Sequence, residues 1–130
     1  MKTLIKLIAI STIFIQTLSA NTDNITPQAT PIYNLFDSII KQNETQLKTV
    51  FSERMVTTLE KKYGWTESLK QYTKLFKKEF GDYQMKDLSF KFEADSTNDS
   101  KGRIWTFFKG KKTENLSIIL ENDKWKMNER

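Results

Sequence analysis

The chain has 130 residues and a formal net charge of +5, and it contains neither cysteine nor histidine. Those two absences exclude disulfides, thiol catalysis, serine–histidine relays and the usual zinc sites. No aspartate-rich calcium loop occurs either, so we expect no metal and no cofactor. Nine phenylalanines and three tryptophans supply apolar volume for one core held without cross-links.

The first twenty residues have the three-part layout of an export signal. Lys2 and Lys6 give a basic start, the run over residues 7–18 is mostly apolar, and Ala20 offers the small residue that a signal peptidase requires. We therefore predict a cleaved signal peptide over residues 1–20. Without its two lysines, the mature chain carries only +3, which argues against nucleic-acid binding.

Two other readings of this segment are less well supported. A membrane anchor needs about 20 consecutive apolar residues, whereas this run is shorter and is interrupted by Ser11 and Gln16. A helix of the domain itself is disfavoured by the polar residues that follow. We predict a flexible leader over residues 21–30, a single domain over residues 31–130, no stable membrane span, and export to the periplasm or the medium of a bacterium.

The first half of the domain has helical periodicity. Pro31 suits the first turn of a helix that we predict to end at Lys41. A short helical turn follows near Leu47, then a helix from Ser52 towards Gly64 and another from Thr66 to Gly81. The apolar residues of this last helix are Leu69, Tyr72, Leu75, Phe76 and Phe80, all expected to point inward.

After Gly81 the apolar period changes to two, which is typical of strands. We predict strands around residues 88–93, 103–109, 116–120 and 124–127, with Trp105 and Phe107 on one face of the second. Helices followed by a meander of strands indicate an α+β fold, with N-terminal helices packed on a curved antiparallel sheet of about four strands.

This layout resembles the nuclear transport factor 2-like (cystatin-like) superfamily. The matching features are the opening helix Tyr33–Ile40, the short helices from Gln46 to Leu59, the strands after Gly81 and the closing hairpin Asn122–Met127. The resemblance implies a cone-like fold with a pocket between the first helix and the sheet. Small exported bacterial members, which are mostly of unknown function, share the closing hairpin.

Two residues of the first helix are candidates for catalysis. Tyr33 and Asp37 lie one helical turn apart at the edge of the apolar stripe. Asp37 in a pocket would act as a general base, with the Tyr33 phenol as a hydrogen-bond donor. The alternative is an ordinary polar pair on a half-exposed helix face.

Four aromatic residues are candidates for the wall of the implied pocket: Tyr72, Phe90, Trp105 and Phe107. The alternative is that they form plain hydrophobic core. Two lysine clusters suggest an anion-facing surface, and their alternative is a solvated face. These clusters comprise Lys70, Lys74, Lys77 and Lys78, and Lys109, Lys111 and Lys112.

The sequence favours an exported, non-enzymatic domain that binds a small apolar molecule or a protein partner. One alternative is an isomerase or dehydratase that uses Asp37 and Tyr33. Another is a homodimer formed through the open sheet face around Trp105. A fold alone does not decide among these functions.

Overall fold

The computed structural model describes residues 25–130, so the predicted signal peptide lies outside the described residues. Within them, four helices precede four strands, which confirms the predicted α+β class. The helices are α1 (Thr30–Lys41), α2 (Glu44–Lys48), α3 (Glu53–Lys62) and α4 (Trp65–Phe80). After a 3₁₀ turn at Met85–Asp87 come the strands β1 (Leu88–Ala94), β2 (Lys101–Phe108), β3 (Lys111–Glu121) and β4 (Lys124–Met127).

Local capping explains where the helices begin. The Asn43 side chain accepts a hydrogen bond from the Gln46 N–H at the start of α2, and Ser52 caps α3 in the same way. Helix α4 starts one residue earlier than predicted, after Gly64, whose φ of 78° suits glycine. Thr66 is therefore not the cap, and its hydroxyl instead donates to Glu44 at 2.9 Å.

The strands form one antiparallel sheet in the order β1-β2-β3-β4. Its β4 edge is covered by the segment between α2 and α3, which pairs with it in parallel. The Ser52 N–H donates to the Met127 carbonyl, and the Met127 N–H donates to the Val50 carbonyl, both at 2.8 Å. This pairing protects an edge that would otherwise be open to other strands.

The helices pack against one face of the sheet, which we call the inner face. Its buried side chains Leu88, Ile104, Ile118 and Met127 belong to the same hydrophobic cluster as the apolar residues of the helices. Because side chains alternate along a strand, every second residue of each strand points to the opposite face of the sheet, which we call the outer face. The sheet therefore has one covered face and one open face.

Phe36 lies at the centre of the core. Its ring centroid is 4.7 Å from that of Phe76, 5.4 Å from those of Phe80 and Tyr83, and 5.9 Å from that of Phe90. The Tyr83 hydroxyl also donates to the Phe36 carbonyl at 2.9 Å. Helices α1 and α4, the loop after α4 and strand β1 thus meet at one side chain.

Two expectations about burial need correction. Leu75 was expected inward, but it is 52% exposed, because it lies about 100° around α4 from the buried Phe76. The predicted leader over residues 21–30 contacts the domain in its described part, residues 25–30. Ile25 packs against the core, and Ala29 is buried one residue before α1.

The central position of Phe36 leads to a stability prediction. Phe36→Ala should lower the free energy of unfolding by about 3–5 kcal/mol, because it leaves a cavity among four rings. The measurement is urea unfolding followed by tryptophan fluorescence. Leu75→Ala is the control and should change stability by about 0.5 kcal/mol or less. Equal losses for both variants would contradict this account of the core.

Candidate functional site

The space between α1 and the sheet, where the resemblance implies a pocket, contains packed aromatic rings. Tyr72 stacks on Phe51 with centroids 5.7 Å apart, and it contacts Phe76 edge-on at 6.2 Å. Phe90 lies against Phe36 in the same layer. Two of the four predicted pocket residues, Tyr72 and Phe90, are therefore partly buried and pack against the core.

Burial also raises the pKa of two tyrosines in this layer. It raises the pKa of Tyr72 to about 12, with a smaller contribution from the charge of Glu129. Burial likewise raises the pKa of Tyr83, and the nearby Asp37 carboxylate adds to that effect. Both phenols are neutral at physiological pH and serve as packing groups with one polar end.

The candidate base Asp37 is buried but paired. Its Oδ2 accepts a hydrogen bond from Gln46 Nε2 at 2.9 Å and forms an ion pair with Lys41 Nζ, also at 2.9 Å. The hydrogen bond between Lys41 and Asp37, together with the negative charge of Asp37, raises the pKa of Lys41. Tyr33 is half-buried one turn earlier on α1. The Gln46 hydrogen bond thus joins α1 to α2, whereas the ion pair with Lys41 lies within α1, and both are structural contacts.

Trp105 and Phe107 lie on the outer face, opposite to Phe90. In the β1–β2 register Phe90 pairs with Thr106, which is buried on the inner face, whereas Trp105 pairs with Lys91. The four residues predicted to line one pocket therefore divide between two faces of the sheet. The physical reason is the strand alternation, which sends Phe90 and Trp105 to opposite sides once the register is set.

Trp105 is held in place by two charged neighbours. Its indole Nε1 donates to Glu93 Oε1 at 2.7 Å, across the β1–β2 pair. The ammonium group of Lys112 lies 3.9 Å from the centroid of the ring, within the range of a cation–π contact. Trp105 therefore stays half-buried on the open face with one side of its ring covered by a cation.

The outer face as a whole is cationic. By register it presents six cations, and its only acids among the described strand residues are Glu93 and Glu121. The helical region, residues 30–80, is more balanced, with nine cations and six acids. The six outer-face cations are Lys91, Lys101, Arg103, Lys112, Lys124 and Lys126.

Two adjoining depressions mark this face, and we call them together the outer groove. One has a volume of about 410 Å³ and is lined by Lys91, Trp105, Phe107 and Lys112. The other, of about 350 Å³, lies towards the start of β2 and includes Lys101, Arg103 and Arg130. Glu93 contributes to both, so the two depressions lie next to each other.

The sequence identified Trp105 and Phe107 as pocket candidates and Lys112 as part of a lysine cluster, but it did not identify Lys91, Lys101 and Arg103 beside them. The signal was present in β2, where Lys101 and Arg103 precede the two aromatic residues at the same period of two. The partners Lys91 and Lys112 come from other strands, and only the register brings them to this face.

The fold and this surface define an α+β domain with one closed aromatic face and one open cationic face. No protein-family model matches the chain, and no curated protein or solved structure matches it significantly. Among the described residues, no group of three or more acidic side chains is placed to hold a metal ion. No helix in that same part of the chain is long and apolar enough to cross a membrane.

The pKa of Tyr72 leads to a pH prediction. An unfolded chain releases the phenolic proton near pH 10, whereas folded Tyr72 keeps it up to about pH 12. Folding stability should therefore fall as the pH rises between these values, because the unfolded state binds fewer protons there. Urea unfolding across this range should show a shallower decline for Tyr72→Phe.

Tyr63→Phe is the control for this measurement, since Tyr63 is 45% exposed. It should follow the unmodified chain at every pH. A Tyr72→Phe profile that matches the profile of this control would show that burial of the Tyr72 phenol is not what couples stability to alkaline pH.

Proposed function

We propose that this chain is an exported, non-enzymatic binding domain that holds an anionic partner on its outer face. The observation that carries the proposal is the outer groove, in which aromatic rings lie among cations on the uncovered side of the sheet. Electrostatic complementarity of this kind steers and selects oppositely charged partners. The layout of residues 1–20 supports export.

The alternatives from the sequence have less support. The Asp37 carboxylate already has a lysine and an amide as partners, which disfavours it as the base of an isomerase or dehydratase. A small apolar ligand behind α1 would have to displace the rings around Phe36. A homodimer through the open face would set two cationic surfaces against each other, and like charges across an interface are costly.

The order of elements, with helices first and a closing four-stranded meander, supports membership of the nuclear transport factor 2-like superfamily as part of this proposal. The domain would then use the outside of its sheet for binding rather than a pocket inside a cone. Fold membership by itself would not supply the function, which rests on the surface.

The test uses poly-L-glutamate as the probe and a triple variant of the purified chain. The substitutions Lys91→Gln, Arg103→Gln and Lys112→Gln together remove three exposed cations from the outer groove. Each exposed charge pair is worth about 0.5 kcal/mol, so affinity should fall about tenfold. Titration calorimetry at low ionic strength measures this loss, and added salt should weaken binding by the unmodified chain.

The matched control removes the same number of charges from α4, through Lys70→Gln, Lys74→Gln and Lys78→Gln, all at exposed positions. Its affinity for poly-L-glutamate should stay within about twofold of the unmodified chain, a difference of about 0.4 kcal/mol. Equal losses of affinity in the two triple variants would show that net charge alone explains the binding, and they would refute the outer face as a site. Absence of binding by the unmodified chain would refute the proposal directly.

A further inference from the structure

Strand β2 presents its outer side chains as one ordered row. Lys101 and Arg103 come first, and Trp105 and Phe107 follow, all on the same face. Alternate residues of a strand are about 6.6 Å apart, so the row extends over about 20 Å. One half of the row is cationic and the other half is aromatic.

The neighbouring strands add charged side chains beside both halves of the row, with Glu93 opposite Arg103 in the cationic half. The aromatic half is flanked by Lys91, opposite Trp105, and by Lys112, opposite Phe107. In the cationic half, Arg103 Nη1 donates to Asn115 Oδ1 at 3.0 Å, which orients the guanidinium group. That group has five N–H donors, so it retains several for a bound carboxylate. Arg103 and Trp105, the two central residues of the row, are thus held in place by neighbouring side chains.

An extended peptide matches the spacing of this row. Its alternate side chains also recur about every 6.6 Å, so acidic side chains would meet the cations and apolar side chains would meet the rings without loss of register. Carboxylates on Lys101 and Arg103 would form charge-assisted hydrogen bonds. Apolar contacts with Trp105 and Phe107 would supply the buried anchors on which interfaces depend.

Other anionic partners fit less well. Lys112 covers one side of the Trp105 ring at 3.9 Å, which leaves a sugar or a nucleobase only the other side for stacking. A lipid surface favours aromatic side chains that project into the interface, but both rings of the row are half-buried. The length of the row also exceeds the reach of a single small anion.

We infer that the partner is an extended acidic peptide segment of another protein, bound along the β2 row, with its acidic part on Lys101 and Arg103 and its apolar part on Trp105 and Phe107. This inference rests on the proposed function and specifies the chemical class of the partner.

The test compares synthetic peptides on the full purified chain. The ordered peptide has two alternate glutamates followed by two alternate phenylalanines, with serine between them. A scrambled peptide has the same composition with the glutamates and phenylalanines interleaved. The ordered peptide should bind about tenfold more tightly. Dextran sulfate and phosphatidylglycerol vesicles serve as the carbohydrate-polymer and lipid probes.

Two single variants locate the contact. Trp105→Ala should weaken binding of the ordered peptide about tenfold, whereas Tyr63→Ala, at an exposed aromatic position away from the sheet, should leave it unchanged. Arg103→Gln provides a second variant at an exposed site, where loss of folding is not expected. This substitution should weaken binding of the ordered peptide about threefold and reduce the dependence of that binding on salt.

The outcomes separate the two proposals. Equal affinity for ordered and scrambled peptides, or tighter binding of dextran sulfate or vesicles, would overturn the peptide inference. If binding of poly-L-glutamate still depended on the outer-groove cations in that case, the proposed function would stand. If none of the probes bound, both would fall.

Discussion

The structure depends on the way in which Phe36 fills the space between α1 and the sheet. Its ring contacts residues of α4, the following loop and β1, all with centroids within 5.9 Å. Because the chain has no cysteine, aromatic packing of this kind replaces cross-links in holding helices to sheet. The inner face is therefore committed to the core, and the outer face is the part of the sheet that a partner can reach.

Charge follows the same division. The inner edge of β3 carries Glu114, and burial together with the charges of Glu79 and Glu129 raises the pKa of its carboxyl group. Cations dominate on the outer side of the same sheet, and Lys112 is stacked on Trp105 there. The outer face therefore carries four more cations than acids among its strand residues. An anionic partner would be attracted to this face by that excess of positive charge.

Much of the fold was predictable from local pattern. Helix α1 was expected over Pro31–Lys41 and spans Thr30–Lys41, and the alternation of β1 marked its strand correctly. These features depend on periodicity within a few turns or residues, which a single sequence displays directly. The cap of α4 at Gly64 was missed because a glycine with positive φ leaves no side-chain signal of its role.

The site was predictable only in part, because it depends on contacts between strands. Alternation alone separates Trp105 from its own neighbour Thr106, but it does not say whether Trp105 shares a face with Phe90. That relation follows from the β1–β2 register. The position of Lys112 over Trp105 depends in addition on the irregular pairing of β2 with β3 between Trp105 and Phe107. Such pairings are properties of the folded sheet and not of any one segment.

The most direct test that the inner face is packed and the outer face binds a partner uses the three tryptophans of the chain as reporters. Trp65 stacks on Phe51 and Trp125 contacts Phe92 on the inner side, whereas Trp105 lies on the outer face. The measurement is a titration of the ¹⁵N-labelled chain with poly-L-glutamate, followed through the indole N–H signals in NMR spectra. The account predicts that the Trp105 signal moves while those of Trp65 and Trp125 stay in place. Movement of the Trp65 or Trp125 signal with a stationary Trp105 signal would contradict it.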